Sequence, residues 1–247
     1  MRVLAIVEYD GTAFEGFQVQ ARKRTVQAEL ERALARVTGE TIRIVGAGRT
    51  DTGVHALGQG VHFDTTWPHP LAVLQRASNA VLPNDIAIRA LFPVPDDFSA
   101  RYDAQSRTYR YTILNQPLRS PLAARYALWV PEPLDVAAMD TAARQLIGSH
   151  DFGAFGTPPR GTNTVREIYR AQVWREGARV HIELEANAFL YRMVRRIVGT
   201  LLLVGKGVLD QTQFALVLAR QRRAAFAVPP HGLCLIAVKY GVMHENV

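Results

Sequence analysis

Apolar residues recur along the chain at two alternating periods. Residues 3–9 are a short β-rich run, halted by Asp10-Gly11, a strong turn pair. Over 25–37, Val26, Leu30, Ala33, Leu34 and Val37 fall at helical spacing, with Glu29, Arg32 and Arg36 opposite and Gly39 as the stop. Residues 41–45 and 60–63 read as strands, 70–81 as a helix and 86–91 as a strand. After Pro93-Val94-Pro95-Asp96-Asp97, read as a linker, a similar order returns. Residues 107–114 alternate as a strand, 136–147 form a helix ending at Gly148, and 168–174 with 180–184 form a hairpin around Glu176-Gly177. Helices over 189–204 and 211–222 follow, and 233–238 closes as a strand.

This pattern predicts an α+β protein of two tandem, similar βαββαβ-type domains, 1–104 and 105–247, each a largely antiparallel sheet with helices on its outer face. An ancient duplication would produce such an order. With 247 residues, 48% of them hydrophobic and 21% charged, the composition excludes a disordered or fibrous chain. The longest apolar run, 197–205, is about half of the ~20 residues a membrane-spanning helix needs. The start, Met1-Arg2-Val3-Leu4-Ala5-Ile6-Val7-Glu8, meets an acid too soon for a signal peptide. One cysteine, Cys234, supports no internal disulfide framework and fits a reducing compartment. A soluble cytoplasmic protein is expected.

Charge adds a class of partner. Lys and Arg number 29 against 22 Asp and Glu, a formal charge of +7. Only Lys23, Lys206 and Lys239 are lysines, so 26 are arginines, whose planar forks suit phosphates and stacking on bases. Arg22, Lys23 and Arg24 form one basic run, and Arg220, Arg222 and Arg223 another. Either run reads as a phosphate-binding strip or as a solvated face.

The segment richest in chemistry is the glycine-bounded loop Gly48-Arg49-Thr50-Asp51-Thr52-Gly53-Val54-His55-Ala56. Arg49, two residues before Asp51, is placed to hold that carboxylate ionised and oriented, as a nucleophile or electrostatic stabiliser requires. An Asx-type turn residue is the alternative. Asp51-Thr52-Gly53 also spells the aspartic-protease triplet, but Arg49 and Thr50 stand where an apolar strand would precede it. His55, His62 and Asp64 complete no metal-ligand spacing. Without further context, Tyr109 and Tyr111 read as one face of a strand.

Five blocks in order carry a family resemblance. They are YDGTAFEGFQ at 9–18, GRTDTGVHA at 48–56, RTYRY at 107–111, NAFLYRMVR at 187–195 and PPHGL at 229–233. Together they resemble the TruA family of tRNA pseudouridine synthases. The resemblance implies two similar α+β domains joined across a central cleft, working as a homodimer. It also implies isomerisation of uridine at positions 38, 39 and 40 of the anticodon arm of tRNA, without a cofactor. Asp51 matches the essential carboxylate, and Arg195 the active-site arginine that pairs with it. Tyr109 matches the tyrosine that stacks on the target uracil, Arg49 an arginine that helps extrude the base, and Leu233 an apolar pocket residue. As a base, the Tyr109 phenol would need a neighbouring cation, since an ordinary tyrosine titrates near about 10. On the predicted helix 189–204, Arg192, Arg195 and Arg196 share one polar face. Arg192 and Arg196, with Arg22, Lys23 and Arg24, are candidates for RNA contact. Phe152 and Phe155 fit the family's second-domain loop, whereas 157–164 is richer in proline and glycine than the family pattern. A fold-retaining RNA chaperone is the competing class; it would be marked by loss of Asp51 or Arg195, and both are present.

Overall fold

The computed structural model describes residues 1–158 and 160–241; Pro159, in the proline- and glycine-rich segment, lies outside the described residues. The elements in chain order are β1 (Arg2–Tyr9), α1 (Val26–Thr38), β2 (Val45–Gly46), β3 (His55–Asp64), α2 (Leu71–Val81) and β4 (Ile86–Val94). They continue with β5 (Ala104–Asn115), β6 (Leu128–Val130), α3 (Val136–Arg144), β7 (Gly148–Asp151), β8 (Val165–Glu176) and β9 (Arg179–Ala186). The last are α4 (Met193–Gly205), α5 (Gln211–Leu218) and β10 (Leu233–Tyr240). The chain forms two compact units: Met1–Gln105 together with the segment from Leu235 onward, and Ser106–Cys234. Among the described residues no helix is long and apolar enough to cross a membrane.

In the first unit β1 lies between β3 and β4, antiparallel to both, and Val3, Leu4, Ala5 and Val7, which alternate between its two faces, are all buried. Helix α1 starts where the Thr25 hydroxyl accepts the Ala28 N–H (3.4 Å) and stops at Gly39, whose φ of 74° is left-handed. The strand expected over 41–45 shortens to β2. Ile42 and Ile44 are buried as a strand pattern implies, but the Ile44 N–H goes to the Glu31 carboxylate (3.1 Å) instead of a ladder partner. Leu4, Ile6, Ala47, Ala100, Ala104 and Tyr240 form one cluster of buried residues in this unit. There the Tyr240 hydroxyl donates to the Ala100 carbonyl at 2.9 Å.

In the second unit β5 and β9 run antiparallel, β8 lies antiparallel to β9 and β7, and β6 lies parallel to β5. Tyr109, Tyr111 and Ile113 stand opposite Leu184, Ile182 and Val180, and all six are buried. Helix α3 packs against β8, α4 and α5. Phe152, Phe155 and Phe214 are fully buried, with rings in sequential contact at 6.2 and 6.5 Å.

Three helices are shorter than their periodicity predicts, the first being that expected over 136–147: it ends at Arg144, after which the Gln145, Leu146 and Ile147 N–H groups turn to carbonyls three residues back. The one expected from residue 189 begins at Met193: the Leu190 N–H turns to the Met193 sulfur, the Tyr191 N–H pairs with the Thr157 carbonyl (2.9 Å), and Arg192 is left-handed (φ 61°). Arg192 therefore precedes the helix, and only Arg195 and Arg196 of the three arginines ride on it. Helix α5 ends at Leu218 because the chain reverses at Arg220 (φ 62°), with the Gln221 and Arg222 N–H groups both on the Leu216 carbonyl.

Two outcomes test this packing. A Cβ at Gly60 would lie 2.1 Å from the Tyr240 hydroxyl oxygen. Gly60→Ala should destabilise the protein by about 1–3 kcal/mol, read as a lower urea midpoint. Asp151 is held at about 2 by the Thr164 hydroxyl, the Gly153 N–H and the Arg220 guanidinium. Its folded pKa lies below the unfolded value, so its contribution is full above about pH 4 and fades as pH falls toward that lower value. Carboxyl carbon NMR should place the midpoint there, and Arg220→Ala should raise it.

Candidate active site

Asp51 sits, partly exposed, in the irregular stretch between β2 and β3. The turn after β1 packs against this stretch, backbone to backbone. The Phe17 N–H donates to the Thr50 carbonyl (3.1 Å), and the Gly53 N–H to the Phe14 carbonyl (3.4 Å). The Gly11 N–H donates to His55 Nδ1 (3.0 Å), and the Val54 N–H donates to the carbonyl of Asp51 itself (3.1 Å). Gly11 is obligatory here, since a Cβ would lie 2.0 Å from the Val54 oxygen. Gly16, with φ of 89°, brings its Cα side to the Thr50 carbonyl. Inside, the hydroxyls of Tyr9 and Thr50 meet at 2.8 Å, and the Gln59 amide donates to the Gly48 carbonyl at 2.9 Å. Two of the sequence blocks, 9–18 and 48–56, thus form one interlocked body.

Arg49 is exposed and, among the described residues, forms no hydrogen bond or ion pair. The sequence spacing placed it as the partner of Asp51. The structure instead turns Thr50 inward to Tyr9 and leaves Arg49 on the surface.

In the second unit, Tyr109 is buried on β5 and its ring meets that of Phe189 edge-on, 5.2 Å between centroids at 86°. Arg195 and residue 228 are doubly joined: Arg195 Nε donates to the Val228 carbonyl (2.7 Å), and the Val228 N–H donates back to the Arg195 carbonyl (3.2 Å). One residue further, the Tyr111 hydroxyl donates to the Pro229 carbonyl (2.8 Å). Burial pushes the Tyr111 phenol up, against the opposing pull of nearby Arg195. Gly232 passes so close beneath that ring that a Cβ would lie 2.6 Å from it. Leu233 follows, buried, at the start of β10. The structure therefore brings Arg195, Tyr111 and the stretch 228–233 together. Nothing in the sequence singles out the hydroxyl bonds of Tyr111 and Tyr9; the signal available is that each lies inside a matching block.

The basic candidates differ in surroundings. Arg22 is exposed with φ of 59°, and Lys23 lies 3.5 Å from Glu15. Arg24 binds both oxygens of Asp85 (2.8 and 2.9 Å) and covers the Phe14 ring at 4.1 Å, which makes it a brace of the turn. Arg192 is exposed over the Tyr191 ring (4.8 Å), and Arg196 is half-buried. Arg220 is tied to Asp151 at 2.6 Å, leaving Arg222 and Arg223 exposed in that run.

Among the described residues no group of three or more His, Cys, Asp or Glu side chains is placed to hold a metal. His62 accepts the Ala100 N–H (3.0 Å) and is pushed down chiefly by burial, and Asp64 pairs with Arg2 at 2.8 Å.

Comparison with known proteins completes the picture. The family described as tRNA pseudouridine synthase matches residues 5–103 and 142–241, most of the chain. The tRNA pseudouridine synthase A of Roseiflexus castenholzii is 49% identical over 247 residues, covering 97% of this chain and 91% of that one. The protein of the same name from a Thermoanaerobacter species (strain X514) is 42% identical, covering 96% and 99%. That of Paraburkholderia phytofirmans is 44% identical, covering 97% and 90%. The interlocked blocks at 9–18 and 48–56 fall within the first matched segment, and Arg195 and the stretch 228–233 within the second: the chain belongs to the tRNA pseudouridine synthase family.

Proposed function

We propose that the chain isomerises uridine to pseudouridine at positions 38, 39 and 40 in the anticodon arm of tRNA, with Asp51 as the reacting carboxylate. The observation that carries this reading is the setting of Asp51, a partly exposed carboxylate on a loop whose backbone is fastened on both sides.

The reaction breaks the N1–C1′ bond, turns the uracil, joins C5 to C1′, releases the C5 proton and returns a proton to N1. Atoms are conserved and no electron pair leaves, so one carboxylate and a shaped pocket suffice. Asp51 serves by attack on C1′, by attack on C6, or by taking a proton from C2′. All three routes demand a carboxylate oxygen held in one place. Tyr109, its ring fixed by Phe189, stacks on the uracil and its phenol takes the C5 proton. Arg195 is the arginine of the site, held by residue 228, and Leu233 supplies an apolar wall. Arg49, exposed, suits extrusion of the base. Arg22, Lys23, Arg192 and Arg196 contact phosphates, which gives salt-dependent affinity without sequence choice, while Arg24 acts through the turn it braces. A cytoplasmic homodimer completes the reading, on the strength of the family resemblance.

Release of tritium from C5-labelled uridine in unmodified tRNA tests it. Wild type should release label, and Asp51→Asn should lose at least about a thousandfold in rate while its tRNA Kd changes by less than about threefold. Tyr109→Phe should lose roughly a hundredfold; a near wild-type rate would leave only its ring in the mechanism. No release by wild type that binds tRNA tightly would make the protein an RNA chaperone, and full activity in Asp51→Asn would remove that residue from the chemistry.

A further inference from the structure

We infer that Tyr9 is a positioning residue for Asp51, acting through the hydroxyl of Thr50, and that this pair sets the rate of isomerisation without setting affinity for tRNA. The inference rests on the assignment of Asp51 as the reacting group.

Tyr9 is the last residue of β1 and 3% exposed; Thr50, immediately before Asp51, is 6% exposed. Their hydroxyls lie 2.8 Å apart, with either able to donate. Neither reaches solvent, so neither is a proton carrier for a bound uridine. In the turn after β1 and in the loop, Phe14, Phe17 and Val54 are buried, and the Tyr9 and Phe17 rings lie 6.4 Å apart. Phenylalanine at position 9 would fill the same space while taking this partner from the Thr50 hydroxyl, and valine at position 50 would do the converse. A hydroxyl pair in such surroundings therefore fixes direction, because a buried polar group without its partner is penalised.

The consequence falls on the next residue. Thr50 is held at its side chain by Tyr9 and at its carbonyl by the Phe17 N–H, and the Asp51 carbonyl takes the Val54 N–H. Upstream of Asp51, the Gly48 carbonyl is held by fully buried Gln59, whose own Oε1 has no hydrogen-bond partner among the described residues. With both flanks of Asp51 fastened, the position of its Cα is set by β1, the turn after it and β3. Loss of the Tyr9–Thr50 bond frees the flank closest to the carboxylate. A displacement well under the length of a bond there slows a reaction that depends on one aligned oxygen.

Single-turnover pseudouridine formation and tRNA Kd, measured on the full chain, test this. The variants are Tyr9→Phe, Thr50→Val, the double variant, Thr50→Ser and Asp51→Asn, and tRNA-binding stoichiometry gives the folded fraction of each. Tyr9→Phe and Thr50→Val should each slow conversion about tenfold with Kd within about threefold of wild type. The double variant should be no slower than the slower single, since both remove one bond. Thr50→Ser, which keeps the hydroxyl, should retain most of the rate. Wild-type rates in Tyr9→Phe and Thr50→Val, beside an inactive Asp51→Asn, overturn the positioning role and leave the assignment of Asp51 standing. An active Asp51→Asn overturns both. Losses that multiply in the double variant, or a Thr50→Ser as slow as Thr50→Val, assign the effect to packing and also overturn the proposal.

Discussion

An irregular loop holds a side chain in place only when its buried backbone groups find partners. Residues 46–55 find theirs in the end of β1, the turn after it and the facing strand β3. The Ala47 N–H donates to the Gly60 carbonyl at 2.8 Å, Gly48 is taken by Gln59, and Thr50 by Phe17. All of this stands on β1, which is sealed between β3 and β4 and offers a floor that does not shift. The close approach of Gly11 to Val54 shows how little room the arrangement leaves. The position of Asp51 is thus set by backbone partners on both sides of it.

The second unit solves the same problem with different residues. The stretch 228–233 has little regular structure beyond a short 3₁₀ turn at Pro230–Gly232, yet it leads into Leu233. It is gripped by α4 through Arg195 and by β5 through Tyr111. A neutral bond of the Tyr111 kind contributes about 1 kcal/mol net, but leaving the hydroxyl of fully buried Tyr111 without it would be worse. In both units the bond comes from a tyrosine of a central strand, whose rigid ring carries a hydroxyl to a fixed depth. The Arg195 guanidinium fastens this segment directly, through the Val228 carbonyl.

What the sequence disclosed follows from range. Helix α1 was legible because Thr25, the apolar stripe and Gly39 are local signals, and the structure uses each of them. The start of α4 was not, since residues 189–192 continue the apolar period while their N–H groups go to Met193 and to Thr157, far back in the chain. Strand β7, Gly-Ser-His-Asp, carries no alternation and exists through its pairing with β8. The carboxylate loop announced itself through its glycines and Asp51. The Tyr9–Thr50 bond spans 41 residues and leaves no periodic trace. Arg24 reads in the sequence as one more cation, and its partner Asp85 lies 61 residues away. Short-range chemistry was readable, and anything that depended on a distant partner was not.

The return of the last strand to the first unit has a consequence for synthesis. Residues 1–105 leave the ribosome first, but β10, the neighbour of β3 in that unit's sheet, is completed only at Tyr240. At about 5–20 residues per second the intervening chain takes roughly ten seconds to emerge. Through that interval the part of β3 that β2 does not cover presents an open edge of unpaired N–H and carbonyl groups, the kind of template on which nascent chains join one another. The first half of the gene product is thus the last to be finished, and a cell making much of it must keep that edge apart from its copies until the final residues arrive.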